Sequence, residues 1–409
     1  MPRKDWKPYR LNQLGFVGRG RSRSRPRNNP ALYGGAYPLF ETGDIKSADL
    51  YLSEPKKTYN ENGLAQSKLW DPGTLCITIA ANIAETAILK VRACFPDSVV
   101  GFIADSEKAD VRFVKYYIDF IKLQMQNISR GTTQDNLSVE KLLSFDFFTP
   151  VLETQRKIAA VLSAYDDLIE NNTRRIKILE DMAQAIYREW FVNFRFPGHE
   201  QVKLVESELG LIPEGWEVKV LGDIAESVRR NVNPSDVNQD MPYIGLEHLP
   251  RKSIALSNWD VVDSINSSKL AFKKGEILFG KIRPYFHKVS VAPLDGICSS
   301  DTIVIRPKTP DCFAITLACV SSEHFVEYAT ATSQGTKMPR ADWKVLVKYP
   351  VGIPPKSIAQ RFSALVQDVV TQIHNLIFRN RNLRQTRDLL LPKLISGEID
   401  VSDLDIAVD

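Results

Sequence analysis

A chain of 409 residues is long enough for two or three domains with cores of their own. An apolar fraction of 44% and a charged fraction of 25% are ordinary for a globular protein, and no apolar run approaches the roughly 18 residues of a bilayer span. The net charge is only +4 but uneven: residues 1–30 hold nine Lys/Arg against one acid, leaving −4 on the other 379, so a polyanion would be met through local patches.

The first residues, "MPRKDWKPYR", lack an apolar h-region, so no signal peptide and a cytoplasmic location are expected. "YRLNQLGFV" (9–17) is strand-like and runs directly into "GRGRSRSRPR" (18–27), five arginines in ten residues with no acid. Such a run is usually a solvated face. Here it lies between strand-like segments, so it belongs inside a domain, and a mobile loop that orders on its ligand is expected, with Gly18 and Gly20 supplying the freedom. "LYGGAYPLFETGDI" (32–45) follows, and then "TLCITIAANI" and "SVVGFIAD" read as strands between turn residues. Residues 109–128 have the spacing of a helix.

A long uninterrupted helix comes next. Its apolar residues Ile158, Val161, Tyr165, Leu168, Ile176, Leu179, Met182 and Ile186 keep the three–four spacing of a coiled-coil seam. Pro197 and Gly198 in "FRFPGHE" stop it. The second half repeats this order, with strands in "GEILFGKI" and "DTIVIRP", a helix over 312–331, and a second long helix. That helix is seamed by Ile358, Phe362, Leu365, Val369, Ile373, Leu376, Leu383 and Leu390 and ends at "LLLPKLISGEID". Asn172 and Asn380 interrupt the two seams, either as tolerated polar positions or as residues that fix register. A helix of about 40 residues is roughly 60 Å long.

The parallel is an internal repeat. "DWKPYRLNQL" matches "GWEVKVLGDI", setting Trp6 against Trp216 and Leu11 against Leu221. "YPLFETGDI" matches "MPYIGLEHL", "DPGTLCI" matches "KKGEILF", "SRGTTQDNLSVEKL" matches "TSQGTKMPRADWKVL", and "TPVLETQRKIAAVL" matches "IPPKSIAQRFSAL". All five lie at an offset of 202 to 210. The expected class is α+β: two mixed α/β domains joined by two long helices pairing as an antiparallel coiled coil, with a pseudo-two-fold internal repeat. Domain one spans 1–150, the first helix 151–196, domain two 197–354, the second helix 355–396, and a tail 397–409.

Catalytic signatures are missing. No G-x-x-x-x-G-K-[ST] loop occurs, and the G-x-G of the arginine run leads into prolines rather than a helix. "NNPALY" lacks the second proline of an aminomethyltransferase motif. Pro96-Asp97 is followed by Glu107-Lys108 at the wrong spacing for a nuclease core. The five histidines are scattered, and the five cysteines (Cys76, Cys94, Cys298, Cys312, Cys319) contain no C-x-x-C pair, reading as reduced core thiols rather than a disulfide or zinc framework. No metal or cofactor of its own is expected.

Basic residues among small polar ones recur at matching places. In the first half these are Arg19, Arg21, Arg23, Arg25, Arg27, Thr42, Asp44, Lys46 and the stretch 130–136. In the second they are Arg229, Arg230, Glu247, His248, Arg251, Lys281, Arg283, Lys288, Lys337 and Arg340. Arg and Lys neutralise phosphates, and Arg, Asn and Gln read base edges bidentately.

Over nearly its whole length the chain resembles the specificity (S) subunits of type I restriction-modification systems. The resemblance is carried by "LYGGAYPLFETGDI", "LETQRKIAAVLSAYDDLIENNTRRIKILEDMAQAIYREWF", "GEILFGKIRPYFHKVSVAPLDGICSSD" and "LRQTRDLLLPKLISGEIDV". It implies two target recognition domains, each reading half of a bipartite site in double-stranded DNA. It also implies paired helices that set the spacer and dock methyltransferase (M) and restriction (R) subunits, with S-adenosylmethionine, ATP and magnesium on those partners. The chain itself would not be catalytic. Half-sites one DNA turn apart, 34–36 Å, suit such a spacer. The expected DNA contacts are Arg19, Arg21, Arg23, Arg25, Arg27, Thr42, Asp44, Lys46 and Gln134 in one domain, and Glu247, His248, Arg283, Lys337 and Arg340 in the other. The expected docking residues are Arg174, Arg175, Lys177, Glu180, Asp181 and Arg188. The rival readings are a stand-alone DNA-binding regulator and a coiled-coil adaptor.

Overall fold

Strands from both ends of the first half meet in one sheet, because the apolar runs are buried and must satisfy their backbone groups laterally. In a computed structural model, residues 6–130, 137–234, 240–262, 264–265 and 267–408 are described. The chain divides into two units, Met1–Asn171 with Asn382–Asp409, and Asn172–Arg381.

The first unit holds a five-stranded sheet in the order Gly15–Arg19, Val99–Ala104, Leu75–Thr78, Thr86–Leu89, Tyr51–Leu52. All neighbours are antiparallel except the last pair. A four-stranded sheet runs Lys57–Tyr59, Tyr33–Leu39, Ala93–Cys94, Leu69–Trp70. The helix Val111–Arg130 buries Phe113, Val114, Ile118, Ile121 and Met125 against Leu75, Ile77, Val100 and Phe102. A ribbon of Lys7–Tyr9 with Phe147–Thr149 joins the two ends of this region. "YRLNQLGFV" is only partly strand. Leu11–Leu14 forms one helical turn, closed by Arg10 N donating to Gln13 Oε1 at 2.6 Å, because both leucines reach the core that way.

The second unit repeats the plan. Its sheets run Ala225–Ser227, Thr302–Pro307, Ile277–Gly280, Val289–Val291, and Arg230–Val232, Lys269–Phe272, Gly296–Cys298, Met241–Ile244, Asp260–Val262. A ribbon of Glu217–Val220 with Pro350–Ile353 stands where the first unit has its own. Val99–Ala104 and Thr302–Pro307 occupy the same place, second from the edge of their sheets, with the same sequence of buried and exposed positions. The helix expected over 312–331 is two, Phe313–Val320 and Glu323–Ala331. Ser321 ends one, and the Ser322 hydroxyl caps the next by accepting from Phe325 N at 3.2 Å.

The long helices span Leu152–Tyr187, continued by a wider π turn to Val192, and Lys356–Ile395. The first ends ahead of Pro197, where Phe194 takes a left-handed φ of 54°. Within each unit the facing positions climb one helix as they descend the other, which makes the pairing antiparallel. In the first unit Ile158 and Leu162 share a core with Leu394 and Ile395, and Asp166 meets Arg387. In the second Asn172 donates to Asn380 Oδ1 at 2.8 Å, Ile176 packs with Ile373, Leu376 and Ile377, and Phe191 meets Phe362. The inward row differs from the expected one. Ile158, Leu162, Asp166, Ile169, Asn172, Ile176 and Glu180 are buried, while Leu168, Met182 and Leu365 are exposed. A three–four spacing admits two adjacent rows, and here the polar partners of Asp166, Asn172 and Glu180 decide which one turns inward. After the second helix, Ile399, Val401 and Ile406 pack into the first unit's core.

All five cysteines are unpaired thiols, and burial pushes Cys298 and Cys319 up to about 12. No described helix is long and apolar enough to cross a membrane, and no cluster of His, Cys, Asp or Glu placed to hold a metal occurs among the described residues.

Candidate nucleic-acid interface

The arginine run is fastened to the first unit through its backbone rather than left mobile. Gly20 N donates to Val99 O at 2.8 Å and Arg21 N to Phe95 O at 3.1 Å. Gln66 Oε1 accepts from Arg23 N and Ser24 N, and Ser67 donates its hydroxyl to Arg21 O. Gly20 provides close approach, not freedom: a Cβ there would lie 2.3 Å from Pro96 O. The backbone is held, the Ser22 side chain is buried, and the arginines are exposed with one exception. Arg21 turns in, donating to Ala65 O at 3.2 Å, so it is a structural residue.

Asp97, in the turn before the strand Val99–Ala104, gathers three of the others. Arg27 reaches its carboxylate at 2.5 Å and Arg25 at 3.6 Å, and Arg19 Nε donates to its carbonyl. Arg23 is exposed, with no side-chain partner among the described residues. Arg27 also lines a groove of about 530 Å³ with Tyr33, Glu41, Thr42, Asp44 and Lys56, so the run and the "ETGDI" turn share one surface. Within it Asp44 is already engaged: it accepts from Glu41 N at 2.9 Å, capping the helix Thr42–Ser47, and pairs with Lys56 at 2.9 Å. Lys46 lies outside that groove and donates to Asn82 Oδ1 at 3.2 Å. Gln134 falls outside the described residues.

The second unit assembles a surface from three loops. The turn after Ile277–Gly280 carries Lys281 and Arg283, with Arg283 held left-handed (φ 49°) by its N–H on Pro339 O at 2.8 Å. Gln334 and Arg340 exchange backbone hydrogen bonds of 2.9 and 3.0 Å, closing a hairpin that presents Lys337 to solvent. Asp301, in the turn before the strand Thr302–Pro307, lies 3.7 Å from Arg340 Nε and 3.8 Å from Lys281 Nζ. Arg283 is thus a neighbour of the hairpin that carries Lys337 and Arg340, far from it in sequence. Aromatic rings extend this surface: Tyr285 is half exposed, and the Arg251 guanidinium stacks 4.0 Å from Phe286. The 245–248 loop reaches it through Lys288, whose Nζ donates to Leu246 O. Glu247 is exposed. His248 works inward, its Nδ1 accepting from Gly245 N at 2.9 Å and its Nε2 lying 3.4 Å from Asp260, so it shapes the loop. His287 is likewise structural, on Ser321 O at 2.8 Å.

On the first long helix, Arg174, Arg175, Lys177, Asp181 and Arg188 are exposed, with Lys177 and Asp181 paired at 2.6 Å. Glu180 is not a surface residue. It is 5% exposed and accepts from Ser253 Oγ, Ile254 N and Ala255 N, so the helix grips a loop of the second unit through it. Burial raises its pKa, opposed by those donors. Ile178 and Met182 are exposed beside Arg174 and Arg175, and Met182 was missed as a surface residue because an apolar residue at seam spacing reads as core. Asp97 and Asp301 were missed too. A single acid beside a basic run carries no motif, and only aligning the repeats brings the two turns together.

The family model of the type I restriction modification DNA specificity domain matches residues 3–181 and 213–379. The specificity subunit of the type I restriction enzyme MjaIX of Methanocaldococcus jannaschii is 27% identical, over 98% of this chain and 95% of its own length. That of EcoDI of Escherichia coli is 22% identical over 97% and 89%. The crystal structure of the S subunit of a type I restriction-modification system from M. genitalium superposes with a TM-score of 0.59 at 14% identity, covering 95% of this chain and 96% of that one. The fold is thus built twice over, and the family model covers both copies. The chain belongs to the type I restriction modification DNA specificity family and is a specificity subunit, a recognition component rather than a catalyst.

Proposed function

We propose that each unit reads one half of a bipartite DNA site. The helix pair would fix the spacing between the halves and dock the methyltransferase and restriction subunits, which carry S-adenosylmethionine, ATP and magnesium. The observation that carries this reading is the duplication of one arrangement. In each unit the turn preceding the equivalent strand, Val99–Ala104 or Thr302–Pro307, lies at the middle of a cluster of basic side chains. Cations set on a rigid frame neutralise phosphates and fix the protein's register on the duplex. Loops such as 334–340, with Lys337 at the tip, are then free to address base edges in the groove. For docking, the outer helix face offers Arg174, Arg175 and Arg188 with Ile178 and Met182 among them, the mixture of charge and apolar surface that protein interfaces use.

The test is methylome sequencing of a host expressing this chain with its methyltransferase partner. The expected result is a methyladenine motif of two short half-sites around an unspecified spacer. Arg27→Gln should relax one half and Arg283→Gln the other. A contiguous motif, or both halves relaxed equally by either variant, would refute the division of labour.

A further inference from the structure

The two aspartates stand at equivalent turns. Pro96–Val99 closes with Val99 N on Pro96 O, and Ser299–Thr302 with Thr302 N on Ser299 O, both at 3.0 Å. The turns lead directly into the equivalent strands Val99–Ala104 and Thr302–Pro307, and each holds one acid in an otherwise basic neighbourhood. The contacts are similar in kind but looser in the second unit. Asp97 takes Arg27 at 2.5 Å and Arg25 at 3.6 Å on its carboxylate and Arg19 on its carbonyl; Arg340 and Lys281 lie 3.7 and 3.8 Å from the Asp301 carboxylate, with Lys281 donating its Nζ to Ser300 O and its backbone N–H to the Asp301 carbonyl.

Fold stability does not account for this pairing. Both carboxylates are about a third exposed and their partners are 26 to 56% exposed; ion pairs in such surroundings contribute little. A carboxylate facing a polyanion also weakens its binding. We propose that Asp97 and Asp301 are paired positioning residues, one per unit. Each holds the basic side chains of its surface in place when no DNA is bound and yields them to phosphates only when the duplex is seated. The consequence is selectivity: a loosely placed duplex meets a masked charge, and a correctly placed one meets the full set. This inference rests on the DNA-reading function proposed above and adds to it the residues that restrain non-specific contact.

The experiment uses the full chain with its methyltransferase partner. Affinity is measured for a duplex carrying the methylated motif and for a scrambled duplex, across 50 to 400 mM salt. Asp97→Asn and Asp301→Asn should each tighten the scrambled duplex about three- to tenfold at 0.1 M salt and steepen the slope of log affinity against log salt by about one. The motif duplex should gain less, so the ratio between the two falls. Asp97→Glu should restore the wild-type ratio. Equal weakening on both duplexes with an unchanged slope would make the aspartates merely structural and overturn the proposal. If an asparagine variant fails to fold, Arg25→Gln with Arg27→Gln decides: an unchanged slope would show those arginines never reach phosphate. A wild-type complex that binds both duplexes equally would sink the DNA-reading function itself, and the proposal with it.

Discussion

His374 on the second long helix and Asp166 on the first are both buried polar groups, but in opposite surroundings. Asp166 is fully buried and accepts from the Tyr116 hydroxyl and from Arg387. His374 is 7% exposed and its Nε2 has no partner among the described residues. Burial, reinforced by the positive charge of Lys274 and opposed by a hydrogen bond to the Val291 backbone, lowers its pKa from 6.5 to about 4. The folded pKa lies below the unfolded one, so between pH 6.5 and 4 the unfolded chain holds the proton more tightly. The proton-linked cost of this site is therefore absent above pH 6.5, and stability is lost as pH falls through the window. At 1.36 kcal/mol per pH unit the full loss is about 3 kcal/mol. His374→Leu removes the proton site and an unsatisfied polar atom, and should be at least as stable as wild type at pH 7. Hydrogen exchange at Ile373 and Leu376 under urea reports the second unit directly. Between pH 7 and 4.5 the wild type should lose about 2 kcal/mol more than the variant. Equal losses, or an imidazole resonance titrating near 6.5, would refute the account.

Other expectations follow from the buried polar residues and the arginine run. Arg387→Leu alone leaves Asp166 buried and unpaired and should cost the first unit about 3–5 kcal/mol in urea denaturation, most of it recovered in the double variant with Asp166→Leu; a single-variant cost below about 1 kcal/mol would contradict this burial argument. Replacing Asn172 and Asn380 together by leucine should raise the Tm while the methylated motif loses its single spacer length, whereas a motif of one unchanged length would show that the amide pair does not set register. Arg21→Ala should lower the Tm and leave the salt dependence of DNA affinity alone. Arg23→Ala should do the reverse, flattening the slope by about one; the same effect from both would mean the inward and outward arginines are not distinct.

The repeat, the two long helices and the strands Leu75–Thr78, Val99–Ala104, Ile277–Gly280 and Thr302–Pro307 were legible because they follow from local periodicity and from five matched segments, whereas the short strands of the other sheet in each unit were not. What escaped depends on partners distant in sequence. The order of 18–27 comes from Gln66, Phe95 and Val99, which no local pattern announces, so a polar arginine run reads as mobile. Glu180 reads as a surface acid until Ser253–Ala255 arrives to cover it. The break at Ser321–Ser322 shows a cap overriding continuous apolar spacing, since a serine hydroxyl satisfies a new helix start at little cost. Among the predicted contact residues, the sequence places Arg283, Lys337 and Arg340 as types only; the backbone hydrogen bonds of Pro339 and Gln334 bring Arg283 beside the hairpin that carries the other two.

The first unit is closed by residues from the far end of the chain: Leu394, Ile395 and Val401 are buried beside Ile158, Leu162 and Phe113. During synthesis on the ribosome, the second unit emerges complete and contiguous while the first still waits for its last helix turns and the segment beyond them. The half made first is therefore finished last. A chain released before Asn382 would carry a folded second unit and an open apolar face on the first, the state most exposed to aggregation and proteolysis.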